Sequence, residues 1–351
     1  MAQLVRFQSQ LTLRNQILTL SRRNLRALFS SLLSPSSRTL DRPQKGMVQT
    51  VNGSISPESV GPTLMHEHLV VDYSQNWGCM DDIPGDPALK GTKEEIRLWE
   101  SKMTMVLEGD ENVIEDVNRF KSTEGHPGKL KDISSKTGLH VVMGTGWYLA
   151  RTHPKDMTTR SSKALEDKLI ADLTGTGEDC EDGICAGYIG ELGCTTELHP
   201  NERRVLQAAA RVSRDLGVFI SIHPGYSRES PFHILNELST HGADLSRVVM
   251  GHVDRGILKM EDYRRIADTG CVLDFDRCHQ IKELADLGYQ EQIVAGHDIA
   301  FKIRLSKFGG HSYDYAWKYV TQYMKKIDGG NENLIKVAIF VDNPKRLLTV
   351  V

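Results

Sequence analysis

Thr63-Leu64-Met65-His66-Glu67-His68-Leu69-Val70-Val71 is an apolar run that carries His-x-His inside what reads as a buried β-strand, residues 62–71. Side chains alternate faces along a strand, so His66 and His68 project from one side, about 7 Å apart. Two imidazoles on one face can grip a metal ion once further ligands arrive from elsewhere in the chain. Two structural histidines satisfied by hydrogen bonds would look the same at this range, so the rest of the chain has to decide.

Outward from that run, short apolar stretches alternate with longer amphipathic ones. Further strands are expected at 139–146, 186–193, 218–224, 247–253, 271–276 and 292–298. Between them lie helical patterns such as 202–216, where Val205, Ala209, Val212 and Leu216 form one apolar stripe. Strands alternating with helices imply parallel βαβ units. Such units close most readily into an α/β fold of the TIM-type (β/α) barrel class, whose active site sits at the C-terminal strand ends. An open doubly wound sheet is the alternative, but no glycine-rich phosphate turn follows the first strand. One unit is defective. Val113, Val117 and Phe120 make a helical stripe, and residues 122–128 then lead straight to another helical stretch at 129–137. One strand is therefore expected to be missing near 122–128, which leaves a gapped barrel with two unpaired edges. No repeat or long linker divides residues 47–351, and a single domain is expected there.

The 351 residues are 39% hydrophobic and 7% aromatic, enough for a sizeable core. No run of about 18 apolar residues is present, so no membrane span is expected. A net charge of −3 provides no electrostatic reason for nucleic-acid binding. Six scattered cysteines without a Cys-x-x-Cys pair suit reduced thiols in an intracellular protein. Residues 1–46 stand apart, with seven Arg and one Lys against the single acid Asp41. That Arg/Ser-rich composition is that of a mitochondrial transit peptide, or of upstream sequence with no role in the fold. Residues 1–46 are expected to be disordered and outside the barrel in either case. The expected location is cytoplasmic, or mitochondrial if the extension is a targeting signal.

Metal-capable side chains recur where the strands finish. His223 ends Val218-Phe-Ile-Ser-Ile-His223, and His252 ends Val248-Val-Met-Gly-His252. Asp298 ends Ile293-Val-Ala-Gly-His-Asp298, and Glu191 sits late in 186–193. With His66 and His68, six ligand-type residues come from five strands, a set too costly to desolvate unless paired or metal-bound. Four imidazoles and two carboxylates exceed what one tetrahedral ion takes, so two ions are expected, zinc or a similar divalent metal. Glu191 is the available bridge. Trp147 and Tyr148 could wall the substrate pocket, and Lys302, Arg304 or His311 could hold an anionic substrate group. His297 and Glu67 should face away from the ligands.

The set His66-x-His68, Glu191, His223, His252 and Asp298 resembles the amidohydrolase superfamily, and within it the phosphotriesterase family in its phosphotriesterase-related branch. The resemblance spans roughly residues 48–351. It includes Gly61-Pro-Thr-Leu-Met-His-Glu-His68, Ile189-Gly-Glu-Leu-Gly-Cys194, His223-Pro-Gly225 and the long stretch from His297 to His311. Bacterial phosphotriesterases bridge their metals with a carbamylated lysine, whereas this chain offers Glu191, the pattern of the related branch. The resemblance implies that His66, His68 and Asp298 bind the more buried of two Zn²⁺ ions, and His223 and His252 the more exposed one. Glu191 and a hydroxide would span both. The hydroxide would attack a small amide or ester, and Asp298 would pass its proton to the leaving group as general acid. The implied substrate is an N-acyl compound such as N-acetyltaurine, with a phosphotriester or lactone as the alternative. A metal-binding protein impaired by the missing strand is the alternative of another class. The expected partner is a small-molecule substrate, with a second copy of the chain as the possible assembly, and neither nucleic acid nor membrane.

Overall fold

The computed structural model describes residues 43–71, 107–108, 127–177, 180, 183–256, 258–276, 280–300, 304–318 and 337–351. A small antiparallel hairpin comes first, β1 (Val48–Thr50) with β2 (Gly53–Ile55). β3 (Val70–Val71) pairs antiparallel with β4 (Leu107–Glu108). The chain then alternates as the apolar pattern implies. In order come α1 (Pro127–Thr137), β5 (Gly144–Thr145), α2 (Ser162–Thr174), β6 (Tyr188–Gly193), α3 (Pro200–Leu216) and β7 (Ile220–His223). They are followed by α4 (Ser230–Thr240), β8 (Val248–Met250), α5 (Met260–Ala267), β9 (Val272–Phe275), α6 (Ile281–Asp286), β10 (Ile293–Ala295) and α7 (Asn343–Leu348). The six strands from β5 to β10 form one parallel sheet in chain order, β10-β9-β8-β7-β6-β5. Consecutive neighbours joined through helices are the barrel arrangement, though among the described residues the barrel does not close.

Two expectations change here. Residues 62–71 do not form a continuous strand; only Val70–Val71 is in a ladder, and its partner is β4. Residues 63–66 nevertheless occupy the place beside β10. Met65 N donates to Ala295 O, and His66 O accepts from both His297 N and Asp298 N. One carbonyl taking two donors stops a ladder from advancing in register, which is why no strand results. The strand expected over 139–146 shortens to β5, because Val141 O accepts from Val51 N of the β1–β2 turn instead. The strand gap expected near 122–128 lies outside the described residues except for Pro127 and Gly128, which open α1.

Two apolar clusters hold the sheet. The larger lies between strands and helices, with Leu165, Leu169, Val205, Leu206, Ile220 and Leu273 all buried. The smaller draws one side chain from each stave, Met65, Val142, Tyr188, Phe219, Val249, Val272 and Val294, and is completed by Val48, Leu347 and Leu348 from the two ends of the fold. Tyr188 stacks on Phe219 with centroids 4.6 Å apart. Phe219 and Val272 share a strand face with His223 and Asp274, so this cluster is the floor beneath the polar rim.

Gly296 makes the approach of residues 63–66 possible. A Cβ there would lie 2.5 Å from His66 O and 2.8 Å from His66 N, both backbone atoms that cannot step aside. Gly296→Ala should therefore destabilise the protein by about 1–3 kcal/mol, as overpacking does. Gly61→Ala, whose Cβ meets nothing within 4 Å, should leave the denaturation midpoint unchanged. Equal midpoints for the two variants would place residues 63–66 elsewhere.

Candidate metal centre

The strand ends deliver the six expected ligands to one rim. Glu191 lies inside β6, and His223 is the last residue of β7. His252 and Asp298 follow β8 and β10 by two and three residues. Both have left-handed backbones, φ 53° and 51°. A non-glycine residue held there carries about 1–3 kcal/mol of strain, which persists only where the surroundings over-determine it.

Glu191 Oε1 is the hub. It lies 2.9 Å from His223 Nδ1, 2.9 Å from His252 Nε2 and 3.5 Å from His66 Nε2. Asp298 Oδ1 lies 2.7 Å from His68 Nε2 and 3.5 Å from His66 Nε2. Among the described residues, two groups have ligand atoms close enough to share an ion, His66 with His68 and Asp298, and His66 with Glu191 and His252. His223 joins neither trio; it is attached through Glu191, its ring centroid 4.5 Å from that of His252.

The electrostatics suit cations. Burial works against the Glu191 charge, but His66, His223 and hydrogen bonds from His223 and His252 outweigh it and hold the carboxyl well below its ordinary range. Asp298 is also held well below, since Arg255 and His68 overcome its burial. Burial depresses His223 against the pull of Glu191, while Asp276 drives His252 well above the usual histidine value despite burial. Neither ring nitrogen of His66 has a hydrogen-bond partner, although both are buried. Leaving such an atom unsatisfied costs about 1–3 kcal/mol, a cost that a bound cation removes. The donor set therefore fits divalent metal, with imidazoles and carboxylates in the proportions zinc takes.

Three groups at the rim have no counterpart in the sequence reading: Asp274, Asp276 and Arg255. Asp276 Oδ2 lies 2.9 Å from His252 Nδ1, and the Arg255 guanidinium bonds both Asp276 and Asp298, the latter at 2.7 Å. His252 and Arg255 hold the Asp276 carboxyl down to about 2 in spite of burial, whereas burial pushes the Asp274 carboxyl up. Two aspartates at a spacing of two in a strand were the available signal. His297 and Glu67, expected only to face away from the ligands, pair with each other, Nδ1 to Oε1 at 2.8 Å, with Glu67 Oε2 also accepting from Ile299 N.

Tyr148 reaches the centre from the loop after β5. Its hydroxyl lies 3.1 Å from His223 Nδ1, while Trp147 is buried in the core. His153 Nε2 bonds Tyr148 O at 2.8 Å. The buried Glu202 carboxylate, in the first turn of α3, accepts from Ala150 N, Thr195 N, Thr195 Oγ1 and His199 N, and so ties this loop to the one after β6. Arg304 Nη2 bonds His297 O, and the His311 ring lies tilted against Tyr315 with centroids 4.5 Å apart; Lys302 lies outside the described residues.

The family model for the phosphotriesterase family matches residues 46–348. The N-acetyltaurine hydrolase of Homo sapiens is 31% identical over 346 residues, covering 87% of this chain and 98% of that protein. The phosphotriesterase-related protein of Nematostella vectensis is also 31% identical, over 87% of this chain and 99% of that one. Among solved structures, a resiniferatoxin-binding protein from Rhodobacter sphaeroides superposes with a TM-score of 0.72 at 25% identity, covering 86% of this chain and 95% of its own. A lactonase from Listeria monocytogenes has the same fold, TM-score 0.72 at 20% identity, over 87% of this chain and 99% of its own.

Glu202 makes a direct prediction. Glu202→Ala leaves its partly buried donors without their charged acceptor and should cost about 1–3 kcal/mol in chemical denaturation. Glu202→Gln, which keeps one acceptor oxygen, should lie between that variant and wild type. An unchanged midpoint for Glu202→Ala would show that the two loops are not held by this carboxylate.

Proposed function

The chain belongs to the phosphotriesterase family, and from that premise we propose that it is a metal-dependent hydrolase of small N-acyl compounds, with N-acetyltaurine the first candidate. The observation that carries the proposal is the convergence of three imidazoles on Glu191 Oε1, with Asp298 and His68 alongside. The named activity of relatives 31% identical over nearly their whole length supports the substrate class. No helix among the described residues is long and apolar enough to cross a membrane.

In this reading His66, His68 and Asp298 hold one divalent ion, His223 and His252 hold a second, and Glu191 serves both. The hydrolase domain is residues 47–351. When bound, the ions would supply Lewis acidity to the substrate carbonyl and lower the pKa of the attacking water. Zinc fits the imidazole-rich donor set best. The chain's own groups do the remainder. The Asp298 carboxylate, held at Oδ2 by Arg255 and with Oδ1 beside the imidazoles, can take a proton and deliver it to the leaving nitrogen. The Tyr148 hydroxyl beside His223 forms one wall of the substrate pocket.

The test is metal analysis and turnover on the full chain purified in zinc. About two ions per chain are expected, as in binuclear hydrolases. N-acyl amino sulfonates and carboxylates should be cleaved in preference to lactones and phosphotriesters. A protein holding no metal would overturn the whole reading; preference for lactones would overturn the substrate class. Glu191→Gln keeps the shape but removes the charge between the cations, so metal content and activity should fall together. Asp298→Asn should lower kcat by about 10²–10⁴-fold with a much smaller change in KM, the usual size of a proton-transfer contribution.

A further inference from the structure

β9 and the residue after it present two carboxylates, Asp274 and Asp276, and each stands behind a different imidazole. Asp276 Oδ2 lies 2.9 Å from His252 Nδ1, and the far nitrogen of that ring, Nε2, is 2.9 Å from Glu191. Asp274 Oδ2 lies 3.4 Å from His66 Nδ1, and His66 Nε2 is 3.5 Å from both Glu191 Oε1 and Asp298 Oδ1. The same order, aspartate then imidazole then Glu191, is built twice at one strand end.

The two copies differ in what else holds them. Asp276 is bound by Arg255 as well as by His252. Asp274 is fully buried, and neither of its oxygens nor either nitrogen of His66 has a hydrogen-bond partner. Asp274 Oδ2 and His66 Nδ1 thus face each other at 3.4 Å, buried and without a hydrogen bond, which is not a device for stability. The pair becomes satisfied if Nε2 of His66 takes a cation. The ring proton must then sit on Nδ1, and the nearby carboxylate oxygen accepts it after a shift of a few tenths of an ångström. Carboxylates behind metal-binding imidazoles act in this way, fixing the tautomer and strengthening the donor. Gly251 beside the ring is required by the backbone, since a Cβ there would lie 2.7 Å from Ile222 O while meeting His66 Nδ1 at an ordinary 3.6 Å.

We propose that Asp274 is a positioning residue for His66, serving the ion at His66, His68 and Asp298, while Asp276 serves the ion at His252. This rests on the metal reading proposed above. Occupancy of the two ions is then governed by two separate carboxylates at one strand end.

The experiment measures zinc affinity of the full-length chain by chelator competition with elemental analysis. The variants are Asp274→Asn, Asp276→Asn and each of these combined with His68→Ala. Asp274→Asn should weaken one zinc ion by about 10–100-fold and spare the other. In the His68→Ala background, where that ion is already lost, Asp274→Asn should add nothing, whereas Asp276→Asn should weaken the ion that remains. The melting temperature of metal-free Asp274→Asn should equal or exceed that of the metal-free wild type, because a buried lone carboxylate has been neutralised. Wild-type affinity for both ions, equal loss of both, or a metal-free destabilisation with unaltered zinc affinity would overturn the proposal. Should Asp274→Asn fail to fold, nitrogen NMR of the zinc-loaded wild type decides: a proton on His66 Nδ1 supports the assignment and zinc on Nδ1 overturns it. A wild-type protein that holds no zinc refutes the metal reading itself, so the two failures are distinguishable.

Discussion

Glu191 places a negative charge in the interior of the sheet, and a buried carboxylate persists there only if cationic or hydrogen-bonding groups surround it. The parallel sheet supplies them through its order. β6, β7 and β8 are consecutive neighbours, and adjacent strands lie about 4.8 Å apart, so side chains at their C-terminal ends meet. His223 and His252 arrive beside Glu191 for this reason, and His66 arrives from beyond β10. A buried anion ringed by imidazoles is stable without metal only to the extent that protons are shared among them. With divalent ions it becomes a matched donor set.

The backbone is bent to suit that centre. His252 and Asp298 leave their strands in the left-handed region, a conformation with no advantage in a continuing strand but one that redirects the side chain. Gly296 lets His66 come within backbone contact of the β10 end, and the shared carbonyl of His66 fixes how far residues 63–66 advance. Arg255 then crosslinks Asp276 and Asp298 across the opening, which joins the β9 and β10 ends through one guanidinium. Planar, multiply donating arginine is suited to such a double grip in a way lysine is not.

Around the rim, order comes from buried charge as well. Glu202 ends two loops at one carboxylate and carries Tyr148 to His223 through Ala150, while His153 holds the Tyr148 carbonyl. The apolar floor of Phe219, Val249, Val272 and Val294 excludes water from beneath the ligands. In such a setting each electrostatic contact counts for more than it would in solvent. The loop that carries Tyr148 and the His223–Glu191 cluster are therefore held together.

How much of this was legible in the chain follows from range. Each of His223, His252 and Asp298 closes its own apolar run, and Glu191 sits late in another, so period-two burial and the strand-end rule located them from local sequence alone. The alternation of strands and helices, and the helix over 202–216, are equally local properties of side-chain spacing. What stayed hidden depends on residues far apart in the chain. Asp274 and Asp276 read as strand residues until the fold sets them behind His66 and His252, and Arg255 has no visible role until β9 and β10 lie side by side. Residues 62–71 look like a strand by composition, yet only Val70–Val71 enter a ladder, and the His66 carbonyl accepts from both His297 N and Asp298 N. Local periodicity determined which residues face the rim; only tertiary contact decided which carboxylate supports which imidazole, because hydrogen-bond partners are set by distance in space and not by position along the chain.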